Sequence, residues 1–434
     1  MKLLLSVCAM MALGGCVTAG PRDTLDRIAV DYVRTQLEIG EREPGYIDAY
    51  YGPEEWQEAA KASPRTVEQL AGAIDGLEAR VAAIDPAGLE PLEQRRRAFM
   101  LGTLKAADTR LRMLRGEKLS FADEAEGLFG YRPELKPLTD YDAALARIDA
   151  LVPGTGPLPD RVDAFQERFT IPKERLKPVF DAAIAECRRR TRAHIALPAD
   201  ESFVMEFVRD KSWSGYNWYK GGNQSLIQVN TDLPIRISRA VDLGCHEGYP
   251  GHHVYNVLLE EKLAKERGWV EFTVNPLYSP QSIISEGSAN YGIDLAFPGD
   301  EALEFEVKTL YPLAGLSPGD AGRYHQLLDA IADASHARFT IAQEYLEGRI
   351  SRDQAVALTQ RYMLVSRERA DQSIRFTEQY RSYVINYGLG QDLVRRWVEM
   401  QGYDQPTRWA AMEKLLSEPT LPSELLPAPD IMTR

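Results

Sequence analysis

The stretch DLGCHEGYPGHHVYN, residues 242–256, holds three of the six histidines of this 434-residue chain. His246, His252 and His253 fall within eight residues, and Glu247 directly follows the first of them. On a straight α-helix, side chains six residues apart point in different directions, and side chains seven residues apart are separated by about 10 Å along the axis. A regular helix would therefore keep His246 from acting together with either of the other two histidines.

Pro250 and Gly251 interrupt such a helix. Proline removes the amide that would bond to the carbonyl of His246, and glycine lets the backbone absorb the distortion. If the pair forms a two-residue bulge, the remainder is His-Glu-Gly-Tyr-His, the HExxH arrangement in which two histidines hold zinc and the glutamate is the general base. We therefore predict a metal site with His246 and His252 as ligands.

Two alternatives remain open from the spacing alone. His253 could replace His252 as the second ligand, and the histidine that is not a ligand would then support the site by hydrogen bonds or help to bind substrate. The three histidines could instead form a buried cluster with structural hydrogen bonds and no metal.

A catalytic zinc site needs a third protein ligand and one open position. Glu286 is the predicted third ligand, because it lies in a segment with helix-like apolar spacing, residues 281–296. Gly287 and Ala289 are small enough for close packing against the helix of the histidines. The alternative is a solvated glutamate, which an otherwise apolar helix disfavours.

Most of the remaining sequence repeats apolar residues three and four apart, which predicts helices. These helical segments are residues 24–43, 67–84, 89–117, 141–151 and 173–194, and then residues 301–311, 324–347, 352–387 and 392–400. Residues 203–208 and 225–230 have the pattern of short strands and flank an aromatic, glycine-rich segment. The edge of such a sheet can bind an extended peptide.

The composition is that of an acidic globular protein. The net charge is −13, with 44% hydrophobic and 26% charged residues, which argues against nucleic acid as a partner. Cys187 and Cys245 are the cysteines outside the N-terminal segment. A disulfide between them and two buried free thiols are both compatible with the sequence.

The N-terminus resembles a bacterial lipoprotein signal. Lys2 precedes an apolar run at residues 3–13, and Leu13-Gly14-Gly15-Cys16 has the form of a lipobox. We expect residues 1–15 to be a signal peptide and Cys16 to carry the lipid that anchors the protein in the membrane. Val17, in place of the aspartate that retains lipoproteins at the inner membrane, favours the periplasmic side of the outer membrane.

HEGYPGHH, residues 246–253, followed by SEG, residues 285–287, resembles the bacterial domain-of-unknown-function family numbered 885. AYYGPEEW (residues 49–56) and RSYVINYGLGQ (residues 381–391) are also similar to that family. The resemblance implies a largely helical, zincin-like metallopeptidase. SEG is similar as well to the second motif of gluzincin aminopeptidases, which implies that Glu286 binds zinc.

The same resemblance suggests a donor for the oxyanion of the reaction. Many family members carry a proline-glycine before a C-terminal serine-tyrosine, whereas this chain has Gln379-Tyr380-Arg381 there. Matching the serine-tyrosine points to Tyr383, with Tyr387 and Arg381 as alternatives.

Together these features predict a mainly α fold with a small β-sheet and a zincin-like metallopeptidase architecture. Residues 16–200 would form an N-terminal helical region and residues 201–434 the catalytic region with C-terminal helices, as one continuous fold. The predicted function is hydrolysis of peptide bonds by water activated on one zinc ion, with Glu247 as general base. The alternatives are a cell-wall peptide amidase on the same metal site, and a lipoprotein that binds or scaffolds without catalysis around a structural metal. A fourth ligand at Cys245 or His253 would favour the latter alternative, because structural sites are usually closed by four protein ligands.

Overall fold

Helices make up most of the structure, a computed structural model that describes residues 24–211 and 213–427. This confirms the prediction of a mainly α fold with small sheets. The expected signal segment 1–15 and the lipid site at Cys16 lie outside the described residues, so the anchor stays a prediction. Within the described ranges, no helix is long and apolar enough to cross a membrane.

Several of the N-terminal helices begin at side-chain caps. The Thr24 side chain accepts a hydrogen bond from the Arg27 amide (3.3 Å), and Thr66 with Gln69 forms a capping box. This region contains α1 (Leu25–Arg42), β1 (Ile47–Tyr50), α2 (Glu54–Ala62), α3 (Val67–Ala82), α4 (Pro91–Leu114), α5 (Phe121–Phe129), α6 (Asp142–Leu151), α7 (Leu158–Glu167) and α8 (Leu176–Arg192).

A three-stranded sheet precedes the histidines in the chain. It consists of β2 (Ser202–Val208), β3 (Gly215–Gly221) and β4 (Gln224–Asn230), in the order β2-β4-β3, with β2 parallel and β3 antiparallel to β4. The sequence predicts β2 and β4 but not β3, whose residues GYNWYKG lack a regular alternation of apolar and polar side chains. A second, two-stranded sheet pairs β1 with β5 (Val274–Pro276).

The histidine stretch folds as two helices. α9 (Ser238–Leu243) continues into a π-helical segment (Gly244–Gly248), and α10 (His252–Leu259) begins after a break at Tyr249, Pro250 and Gly251. The predicted interruption is therefore present, but it separates two helices instead of forming a bulge within one. α11 (Pro280–Ala296), which carries Glu286, follows β5.

The C-terminal helices differ from their prediction: residues 324–347 and 352–387 are each divided, and the helix predicted at 392–400 begins at Ile385. They are α12 (Glu301–Phe305), α13 (Tyr311–Ala314), α14 (Ala321–Ala334), α15 (Ala337–Leu346), α16 (Arg352–Met363), α17 (Arg367–Tyr380), α18 (Ile385–Gln401) and α19 (Gln405–Ser417). The single helix predicted for residues 352–387 is wrong. Leu364 adopts a left-handed conformation that ends α16, Ser366 caps α17, and a 3₁₀ turn (Arg381–Val384) leads into α18.

Apolar side chains from both predicted regions share the same cores. One cluster joins Phe180 of α8 to Leu310 and Leu415, and another joins Tyr32 of α1 to Ile385 of α18.

Cys187 of α8 is bonded to Cys245, with 5.5 Å between their Cα atoms. Of the two alternatives that the sequence allowed for these cysteines, the structure contains the disulfide. It holds the π-helical segment against α8.

Candidate metal centre

Three of the predicted ligands converge in the structure. His246 comes from the π-helical segment, His252 is the first residue of α10, and Glu286 lies on α11. Nε2 of His246 is 3.1 Å from Nε2 of His252, and these nitrogens are 3.4 Å and 3.7 Å from Oε2 of Glu286. Among the described residues, no other group of three or more His, Cys, Asp or Glu side chains has its ligand atoms close enough together to hold an ion.

The break in the helix makes this convergence possible. The Gly251 amide donates to the carbonyl oxygen of Cys245 (3.0 Å), so the chain folds back over the end of the π-helical segment. A Cβ atom on residue 251 would lie 1.7 Å from the carbonyl oxygen of His246. Only glycine allows the backbone to approach this closely. The resulting path of the chain places the ring of His252 against that of His246, with ring centroids 4.7 Å apart.

The spacing of the three atoms fits a tetrahedral metal ion. Ligands about 2.0–2.1 Å from a zinc ion in tetrahedral geometry are about 3.3–3.4 Å from one another. The observed separations of 3.1–3.7 Å bracket that value. Two histidine nitrogens and one carboxylate oxygen are also a ligand set that zinc accepts.

Hydrogen bonds outside the cluster orient both imidazoles. Nδ2 of Asn290 donates to the carbonyl oxygens of Glu286 (3.0 Å) and Tyr387 (2.9 Å), which fixes the orientation of its amide. Its Oδ1 therefore accepts from Nδ1 of His246 (3.2 Å), leaving the lone pair of Nε2 directed into the cluster. Nδ1 of His252 lies 2.9 Å from the Ser285 hydroxyl.

The two oxygens of Glu286 have different surroundings. Oε1 accepts a hydrogen bond from the Tyr383 hydroxyl (2.9 Å), whereas Oε2 is buried without a hydrogen-bond partner in the described chain. Burial would raise the pKa of Glu286, but its interactions with His246 and His252 outweigh burial and hold the pKa well below its usual range. Glu286 is therefore an ionised carboxylate with one oxygen available to a cation.

Glu247 lies beside this cluster with its carboxylate under β3. A Cβ atom on Gly215 would be 2.7 Å from Oε1 of Glu247, and Nδ2 of Asn217 donates to the Glu247 carbonyl oxygen (2.7 Å). Burial raises the pKa of Glu247, and the neighbouring histidines oppose that shift. A buried carboxyl with a raised pKa is suited to accept and return a proton.

His253 points away from the cluster. Its Nδ1 is 2.8 Å from the Ser225 hydroxyl and its Nε2 is 3.1 Å from Oε2 of Glu201. It is fully buried between α10 and the three-stranded sheet. We expected the histidine that is not a ligand to support the ligands or to contact substrate. For His253 this expectation is wrong, because both of its ring nitrogens are engaged in this separate network.

The three candidate oxyanion donors differ in position. The Tyr383 hydroxyl is engaged with Glu286, and Arg381 pairs with Glu124 of α5 (2.8 Å). Tyr387 lines the cavity in front of the cluster, and its hydroxyl has no hydrogen bond to another described residue. Arg381 does not line that cavity.

The cavity has a volume of about 730 Å³ and is bounded by the π-helical segment, β3, α15, α17 and α18. Besides the predicted residues, Asp48 of β1 and Tyr216 of β3 line it, and the Tyr216 hydroxyl donates to Asp48. Arg338 of α15 lines it as well. These residues were missed, since no local motif surrounds them and their contacts join distant parts of the chain.

Gly287 does not pack against the histidine helix as expected. A Cβ atom there would lie 2.3 Å from the carbonyl oxygen of Gly390 on α18. A Cβ atom on Gly292 would lie 2.7 Å from Cγ of Pro250, so Gly292 is the glycine that faces the break. The small residues of α11 thus bring α18, with Tyr387, close to the cluster.

Comparison with known proteins gives no family. No protein-family model and no curated protein matches the sequence, so membership of the family numbered 885 stays a prediction. Among solved structures, the chain is similar to a "putative lipoprotein" from Colwellia psychrerythraea, with 14% identity, a TM-score of 0.49, and coverage of 92% of this chain and 74% of that one. It is also similar to an M32 carboxypeptidase from Deinococcus radiodurans R1, with 12% identity, a TM-score of 0.35, and coverage of 90% and 88%. At these values neither likeness bears on the activity of this chain.

Proposed function

We propose that this chain is a zinc-dependent peptidase whose ion is held by His246, His252 and Glu286. The observation that carries the proposal is the convergence of two Nε2 atoms and Oε2 of Glu286 at 3.1–3.7 Å. A buried carboxylate oxygen without a partner is costly unless a cation or donor satisfies it. A metal ion satisfies all three atoms at once.

A zinc ion bound there would act as a Lewis acid that polarises a substrate carbonyl and acidifies a water molecule. Glu247 is the general base in this proposal: its carboxylate takes a proton from the attacking water and returns it to the nitrogen of the leaving amine. β3 covers Glu247, and this limits access of bulk water to the carboxylate.

Tyr387 is our candidate to donate a hydrogen bond to the oxyanion, since its hydroxyl forms no hydrogen bond with another described residue and the side chain lines the cavity. Such a donor typically contributes about 3 kcal/mol to transition-state stabilisation. Tyr383, which the family pattern suggested for this role, instead holds Oε1 of Glu286 and so directs Oε2 towards the ion.

The substrate is proposed to be a peptide that lies extended along β3. β3 pairs with β4 on one side and, among the described strands, has no partner on its other side. Residues 213–218 line the cavity directly above Glu247. A peptide could add to this edge by main-chain hydrogen bonds and present one carbonyl to the metal centre.

The binding or scaffold alternative requires a closed metal site with four protein ligands. Cys245 is engaged in the disulfide and His253 in the network with Glu201, so neither residue is free to be a fourth ligand. Three ligands facing a cavity favour a catalytic site. The cell-wall peptide amidase remains the second candidate, because it would use the same centre on a different peptide.

The test is the variant Glu247→Gln in zinc-loaded protein. We expect turnover to fall by about 10²–10⁴-fold, because the general base is lost, while zinc content and melting temperature stay as in the wild type. Activity would be measured on a mixture of linear peptides and, separately, on cell-wall muropeptides, with products identified by mass spectrometry.

Glu174→Gln is the matched control, since Glu174 is exposed and does not line the cavity. Full activity of Glu247→Gln, or loss of zinc together with activity, would contradict the role of Glu247. No cleavage of either substrate class by the wild type would contradict the proposed function itself.

A further inference from the structure

Arg338 is a cation in the cavity without a matching anion. It lies on α15 and lines the cavity, and its Nε is buried with no hydrogen-bond partner in the described chain. Its guanidinium carbon lies 4.9 Å from the Phe339 ring centre and 6.0 Å from that of Tyr387. Within the described ranges, no carboxylate forms an ion pair with it.

The other arginines of the cavity have polar partners. Arg239 pairs with Asp242 on the same helix, and Arg369 donates to the Pro234 carbonyl oxygen (3.4 Å). Arg338 thus differs from these two arginines, because no described residue forms a hydrogen bond or an ion pair with its guanidinium. Burial lowers the pKa of Arg338, and Tyr387 and Glu286 only oppose that shift.

Arg338 is half-buried. A guanidinium stays charged in proteins, and taking even part of it out of water without a counter-charge is unfavourable. Its planar set of donors matches the two oxygens of a carboxylate. Glu286 is the acidic residue whose charge acts on the pKa of Arg338. Its carboxylate, however, already contacts Tyr383, His246 and His252. The missing anion is therefore expected to arrive with the ligand.

The position of Arg338 relates this anion to the reaction centre. The Arg338 guanidinium lies beside the ring of Tyr387, the proposed oxyanion donor, and both residues line the cavity. The charge of Glu286, a proposed metal ligand, also acts on the pKa of Arg338. A carboxylate bound by Arg338 would thus be close to the carbonyl under attack. A carboxylate held beside the proposed oxyanion donor fits the terminal carboxylate of the residue after the cleaved bond better than a remote acidic side chain.

We propose that Arg338 binds the free α-carboxylate of the substrate, so that the enzyme releases residues from the carboxyl end of peptides. This proposal rests on the proposed peptidase function and names its substrate class. In it, Arg338 sets substrate choice, whereas Glu247 and the metal ligands carry the chemistry.

The kinetic test uses acetyl-Ala-Ala-Phe and its C-terminal amide with zinc-loaded wild type, Arg338→Met and Arg338→Lys. For the wild type, we expect a kcat/KM at least tenfold higher on the free acid than on the amide. Arg338→Met should lower kcat/KM on the acid by about 30-fold or more, mainly through KM, since a buried charge pair is lost. Cleavage of the amide should change less than threefold, and Arg338→Lys should recover part of the preference.

The control is Arg361→Met, because Arg361 also lies over an aromatic ring (5.1 Å) but is exposed outside the cavity. It should leave both substrates unaffected. Equal loss on acid and amide in Arg338→Met would overturn the proposal, since it would assign Arg338 to the oxyanion or to the fold. Absence of any preference in the wild type would overturn it as well.

A binding measurement separates this proposal from the peptidase function. Calorimetry with zinc-loaded Glu247→Gln would compare acetyl-Ala-Ala-Phe, its amide, and acetyl-Ala-Glu-amide, which carries only a side-chain carboxylate. Tighter binding of the free acid that disappears on adding Arg338→Met supports the terminal carboxylate site, even if no peptide is cleaved. Equal, Arg338-dependent binding of acetyl-Ala-Glu-amide would overturn the carboxyl-end assignment in favour of an acidic side chain.

Discussion

At residue 251 the backbone passes so close to the carbonyl oxygens of Cys245 and His246 that a side chain cannot fit. A Cβ atom would lie 1.7 Å from the His246 oxygen and 2.5 Å from the Cys245 oxygen. Since both contacts are to backbone, neither can move aside without shifting a proposed ligand. The convergence of the three proposed ligands therefore depends on a residue that is not itself a ligand.

Gly251→Ala should lower the free energy of unfolding by about 3 kcal/mol or more and reduce zinc content, measured by urea denaturation and elemental analysis. Gly72→Ala is the control, because Gly72 is exposed in α3 with no atom near a new Cβ. It should stabilise the helix by about 0.5–1 kcal/mol. A Gly251→Ala protein with the stability and zinc content of the wild type would contradict the described path of the chain.

Glu201 is a second buried residue whose surroundings have a measurable effect on the stability of the fold. Burial alone would raise its pKa, but hydrogen bonds from His253, Tyr249 and Arg188 outweigh burial and lower the pKa to about 2. The folded pKa thus lies below the unfolded value of about 4.3. The ionised carboxylate stabilises the fold above the unfolded value, and this contribution is lost as the pH falls towards 2.

Glu201→Gln should therefore lower the free energy of unfolding at pH 7, on the order of 3 kcal/mol. Urea denaturation of both proteins at a series of pH values should show a constant difference above about pH 5 and a shrinking one below it. A difference that stays the same from pH 7 to pH 3 would be inconsistent with the lowered pKa.

At the scale of elements, the disulfide fixes the π-helical segment of His246 and Glu247 to α8. Cys187 and Cys245 are 58 residues apart in the chain, so closing this loop in the unfolded state contributes about 4 kcal/mol to stability. The double variant Cys187→Ala and Cys245→Ala should lose stability of that order in urea denaturation.

A reducing agent should destabilise the wild type and leave the double variant unchanged. If the wild type and the double variant unfold at the same urea concentration without reductant, the disulfide does not support the segment.

The helices were predicted well where one apolar face is continuous and a cap marks the start, as in α1 and α3. The prediction failed where a helix ends without glycine or proline. Leu364 takes a left-handed conformation that its side chain gives no reason to expect, so α16 and α17 appeared as one helix. β3 was missed because its aromatic and polar side chains do not alternate regularly along the strand.

At the scale of the molecule, the three converging side chains His246, His252 and Glu286 could be selected from the sequence because each lies in a short local motif. Their surroundings could not, because they join residues far apart in the chain. Asp48 meets Tyr216 across 168 positions, and Asn290 reaches Tyr387 across 97. The sequence alone contains no signal for such pairs, and for the same reason Arg338 could not be connected with the cavity.

The most direct test of the metal centre is a crystal structure of the zinc-loaded chain with anomalous diffraction recorded at the zinc absorption edge. We predict one strong anomalous peak per chain, within about 2.0–2.2 Å of Nε2 of His246, Nε2 of His252 and Oε2 of Glu286. A peak elsewhere in the molecule, or no peak although the three side chains are ordered, would contradict the account.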